Sequence, residues 1–127
     1  MAYYFSKILT ISFDEAVARV TEELKKEGFG ILTDIDVQAT LKKKLNVDFR
    51  KYRILGACNP PFAHQALLKE DKIGTMLPCN VIVQEIAEGV EIAAIDPIAS
   101  MQAVDNPELG SVAEQVQAKL KKVVENL

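Results

Sequence analysis

The sequence predicts an α+β fold of two layers, a sheet of about five mainly antiparallel strands with a long first and a long last helix on one face. Three observations carry that reading. Strand and helix patterns follow in the order strand, helix, strand, short helix, strand, helix, two strands, long helix. The two late strands are separated only by the turn around Glu88-Gly89, too short for a crossover, so they pair as a hairpin. The first and last helices each carry one apolar stripe, which suits a helix lying on a sheet. A chain of 127 residues, 49% hydrophobic, is sized for one domain spanning 1–127, with a core that needs neither disulfides nor a structural metal.

Tyr3 to Ser12 lacks Gly and Pro and reads as the first strand. Ser12 with Glu15 three places on forms a capping box, and Phe13, Ala16, Val17, Val20 and Leu24 follow at helical spacing until Gly28. Phe29 to Ile35 returns to strand chemistry. Asp36 caps a short helix with Val37, Leu41 and Leu45 on one stripe, ending near Asn46. Lys51 to Cys58 is the third strand, and Asn59-Pro60-Pro61 reads as an N-cap and a proline start for a helix running to about Lys72. Leu77 to Ile86 and Val90 to Asp96 form the hairpin. Val81, Ile82 and Val83 are consecutively apolar, which places that strand centrally, with both faces covered. Past Pro97 a loop or short helix leads to Asn106-Pro107, and Leu109, Val112, Val116, Leu120, Val123 and Leu127 stripe the final helix.

A two-layer design leaves one sheet face without helices. A second copy of the chain is the natural cover for an apolar face, so a homodimer is expected. The net charge of -3 argues against a duplex-DNA partner, which is held by phosphate neutralisation. Lys42, Lys43, Lys44, Arg50, Lys51 and Arg53 cluster, yet such a cluster is more simply the solvated side of a short helix than an anion site. The start of the chain lacks the pattern of a secretory signal and no run reaches membrane-spanning length, so a cytoplasmic protein without a membrane partner is expected.

Chemistry has few places to sit, because there are two Cys, one His and no Trp. A P-loop and a dinucleotide fingerprint are absent, and Pro60 and Pro61 remove amide donors from the helix start nearest a glycine. The Asp34 and Asp36 pair lies at a strand-to-helix junction where Asp36 serves as a cap. Cys58 closes a strand just before a helix N-terminus, and Cys79 opens the next strand; each is followed by Asn. His64 lies about a turn and a half into the intervening helix. If the two strand ends are neighbours, Cys58, Cys79 and His64 form a small soft-ligand set able in principle to hold a soft transition metal, a haem iron or a sulfur species. Free Cys more often only fills space in a core, and a lone His more often sits on a helix surface than binds a ligand. The candidate ligand-binding residues are therefore Cys58, Asn59, Pro60, His64, Cys79 and Asn80. The leading expectation is binding of a small molecule or a protein partner without a cofactor, and the alternative is metal-, haem- or thiol-based chemistry.

The run Gly28-Phe29-Gly30, Asp34-Ile35-Asp36, Leu41-Lys42-Lys43-Lys44-Leu45, Tyr52 to Pro60 and Leu77-Pro78-Cys79-Asn80-Val81 resembles the bacterial and archaeal proteins grouped as domain of unknown function 302. The resemblance covers nearly the whole chain. It implies a TBP-like arrangement, in which a curved antiparallel sheet is backed by helices, and a homodimeric state. It implies no activity, and fold alone does not supply one. Cys58, Asn59, Pro60, Cys79 and Asn80 fall on the family's characteristic stretches.

Overall fold

Alternating side chains build a five-stranded sheet in this computed structural model, which describes residues 2–127. The strands are β1 (Tyr4–Leu9), β2 (Gly30–Asp36), β3 (Tyr52–Cys58), β4 (Cys79–Ile86) and β5 (Gly89–Ile95). Their order is β1-β5-β4-β3-β2, with every neighbouring pair antiparallel. The central place predicted for the Val81 to Val83 strand is the one β4 occupies. Ile86 pairs with Gly89, so the hairpin closes over the two residues Ala87 and Glu88.

Period-two alternation then decides which side chains meet the helices. Val81 and Val83 of β4, Leu55 and Ala57 of β3, and Val90, Ile92 and Ala94 of β5 are buried on one face. Onto that face pack α1 (Phe13–Lys26), through Phe13, Ala16, Val20 and Leu24, and α5 (Gly110–Glu125), through Val112, Val116, Leu120 and Val123. Ser12 caps α1 by accepting from the Glu15 amide at 3.2 Å. The expected long helices therefore lie together on one side, against each other and the sheet. Alternation sends Tyr4, Ile8 and Ile35 to the opposite face, and all three are exposed.

Several local expectations change. The first strand is shorter than Tyr3 to Ser12, and the fourth begins at Cys79 rather than Leu77. In α2 (Val37–Leu45) no residue is buried, so the Val37, Leu41 and Leu45 stripe does not reach the core; the helix bridges β2 to β3, capped by Asp36, which accepts from the Ala39 amide at 3.0 Å. α3 (Pro60–Lys69) stops short of Lys72 and passes into a 3-10 helix, Asp71–Met76. The segment after β5 forms α4 (Pro97–Ser100) and a one-turn 3-10 helix, Pro107–Leu109. Among the described residues no helix is long and apolar enough to cross a membrane.

Candidate functional site

Beyond the ends of β3 and β4 the sheet stops while α3 and α5 continue. The space between them is a cleft of about 270 Å³. The sheet end supplies Ala57, Cys58 and Cys79; β2 and the turn before it supply Leu32 and Phe29; α3 supplies Phe62, Ala63, Ala66 and Leu67; α5 supplies Val112, Ala113 and Val116. Leu77, Pro78 and Met101 complete the walls. Leu32 is 68% exposed and Leu67 43%, so the cleft carries apolar side chains out to its rim. A concave, largely apolar hollow with few polar groups is the common form of a small-molecule site.

Register fixes the relation of the two thiols. Ala57 pairs with Cys79, so Cys58 stands one residue out of step with it on the adjacent strand. Alternation puts Ala57 and Cys79 on the helix-covered face, and Cys79 is buried there; Cys58 is half-buried at the strand end. Both are free. Burial, with a smaller contribution from neighbouring Cys58, pushes the Cys79 thiol up to about 11. At neutral pH Cys79 is thus a neutral thiol, whereas the thiolate is the form that attacks and binds metals.

Asn59 does not act as the side-chain cap expected of it. Its Nδ2 donates instead to the backbone carbonyl of Glu27 at 3.0 Å, joining the end of α1 to the start of α3. The neighbouring Gly28 has φ +88°, a conformation costly for any side chain, and a Cβ there would lie 3.1 Å from Asn59 Nδ2. Nearby, Lys119 Nζ lies 6.0 Å from the centroid of the Phe62 ring. Lys119 and Lys122 share the Glu27 carboxylate, at 3.9 and 3.5 Å.

The remaining candidates scatter. Pro60 is exposed at the first turn of α3. His64 is exposed and does not line the cleft, so the Cys58, Cys79 and His64 set is not assembled there. Among the described residues no group of three or more His, Cys, Asp and Glu is placed to hold a metal ion. Asn80 follows Cys79 and so points to the opposite, helix-free face, into a second groove with Tyr3, Tyr4, Tyr52 and Ile82. In that groove Arg50 Nε donates to Gln84 Oε1 at 3.1 Å, and Gln84 Nε2 donates to Glu91 Oε1 at 2.8 Å. The basic cluster is partly neutralised, because Arg53 bonds Asp34 at 2.9 Å and Lys42 bonds Asp48 at 3.1 Å. Asp34 and Asp36 both lie against the Arg53 guanidinium, at 2.9 and 3.8 Å.

Sequence reasoning missed the apolar cleft wall itself. Its signal was present in Phe62, Ala63, Ala66 and Leu67, which repeat at three- and four-residue spacing along one face of α3.

No curated protein matches this sequence. A solved structure that does is the crystal structure of an uncharacterized conserved protein DUF302 from Bacillus stearothermophilus, at 26% identity and a TM-score of 0.91, over 98% of each chain. The model of the family described as domain of unknown function DUF302 matches residues 5–127, and the chain belongs to that family.

Proposed function

We propose that this protein binds a small, mainly apolar molecule in the cleft between α3, α5 and the ends of β3 and β4, and does so as a homodimer. The observation that carries the reading is the cleft's lining. Apart from Asn59, whose amide is engaged by Glu27, and the two thiols, every lining side chain is a hydrocarbon or thioether. An apolar ligand there releases water from Leu32, Phe62, Leu67 and Met101, each worth about 25 cal/mol per Å² of surface covered. The neutral state of Cys79 favours this over thiolate or metal chemistry at the same place. Support for the dimer comes from the bare sheet face, where Tyr4 and Ile8 on one edge strand and Ile35 on the other are exposed.

Nile red, a neutral apolar dye, tests the cleft. It should bind the protein with blue-shifted emission, and Ala63→Trp, which fills the cleft from α3, should abolish that binding while leaving the thermal transition cooperative. Absence of binding to the wild type, or equal binding to a folded Ala63→Trp variant, would overturn the reading.

A further inference from the structure

We infer that the cleft's ligand carries a carboxylate at the end of a short apolar chain, with Lys119 as its anchor; this rests on the ligand-binding reading above. Charge is the first argument. Lys119 and Lys122 have one ion-pair partner between them among the described residues, the Glu27 carboxylate. Two cations facing one anion leave a net positive charge. Lys119 does not itself line the cleft, but its Nζ stands 6.0 Å from the ring centroid of Phe62, which does, one helical turn beyond the lining residue Val116. The Lys119 contact to Glu27 is the longer of the two, at 3.9 Å, so Lys119 can turn to a ligand while Lys122 at 3.5 Å keeps Glu27 paired. A long lysine stem lying along an apolar surface with its ammonium free at the edge is a common posture for that side chain.

Size is the second argument. A volume of about 270 Å³ is near the lower bound of small-molecule sites, so the apolar body of the ligand is short. Polarity is the third. The interior offers no free cation and no cluster of donors, so a second charge on the ligand would be buried without a partner, which is strongly unfavourable. One terminal negative charge and an otherwise apolar body is the pattern the site complements.

Isothermal calorimetry with three probes of equal length, octanoate, 1-octanol and octylammonium, separates the possibilities. Octanoate should bind the wild type about tenfold more tightly than 1-octanol, the size expected of one charge-assisted hydrogen bond, and octylammonium should bind most weakly. Lys119→Met should bring octanoate to the level of 1-octanol with 1-octanol unchanged, and Lys119→Arg should keep the preference. Equal binding of octanoate and 1-octanol to the wild type would overturn the carboxylate inference, and a preference that survives Lys119→Met would overturn Lys119 as its anchor, while the apolar cleft stands in either case. Failure of all three probes to bind would overturn both.

Discussion

The side-chain amide of Asn59 donates to the main-chain carbonyl of Glu27 across 32 residues of sequence, at 3.0 Å. This bond holds the α1 exit, the Gly28 turn and the α3 entrance in one arrangement, and the cleft lies directly beside it. Among the described residues Asn59 is also the one buried polar side chain.

Asn59→Ala removes the donor and leaves a partly buried carbonyl without it. The expected loss is about 1 to 3 kcal/mol, read as a lower urea midpoint at unchanged slope. Asn59→Asp should cost at least as much, because a carboxylate oxygen would face the carbonyl oxygen. A midpoint within error of wild type for both variants would show that the bond contributes nothing to the fold.

Alkaline pH should weaken the protein through Cys79. The unfolded chain gives up this proton near the ordinary thiol value of 9.0, whereas the fold holds it to about 11. The stabilisation is complete below about pH 9 and is lost as pH rises from 9 towards 11, by on the order of 2 to 3 kcal/mol. Denaturant midpoints at pH 8 and pH 10.5 should therefore fall further for wild type than for Cys79→Val. Identical falls in the two proteins would refute the assignment to this thiol.

The open sheet face predicts a particle of twice 14.0 kDa by light scattering at micromolar concentration. Ile82 lies on that face, between Ile54 and Ala93 on the flanking strands. Ile82→Glu should yield the monomer without lowering the helix content, since the substitution leaves the helix-side core of Val81 and Val83 untouched. A wild-type mass of one chain would end the dimer proposal.

Much of the architecture was legible in the sequence because it is written in local periodicity. The stripes of α1 and α5 and the alternation in β4 and β5 each state which face is buried. The end of α3 was not legible, since Lys69-Glu70-Asp71 contains no helix-stopping residue. There the helix end is taken over by Asn106, whose Nδ2 donates to the Lys69 carbonyl at 2.8 Å and to Glu70 Oε1 at 3.1 Å from 37 and 36 residues away. No local pattern encodes such a partner. For the site, the strand patterns put Cys58 and Cys79 at strand ends but left open whether those ends are neighbours, which only the pairing of β3 with β4 settles. Consecutive residues in a strand face opposite ways, so Cys79 and Asn80 never belonged to one pocket. Likewise His64 is two residues from both Phe62 and Ala66, a separation that puts it off their face of the helix.

The two walls of the cleft differ in how firmly they are held. The floor belongs to β3 and β4, locked by a ladder on both sides of each strand. α3 contributes a single buried residue, Ala66, and packs chiefly on α5 and the 3-10 helices rather than on a strand. Segments with few buried apolar contacts open at lower free energy than the global fold. The cavity is therefore a rigid anvil under a compliant jaw. Its volume is that of one jaw position, and a homologous series of ligands should meet a gradual decline in affinity with length rather than a sharp cutoff.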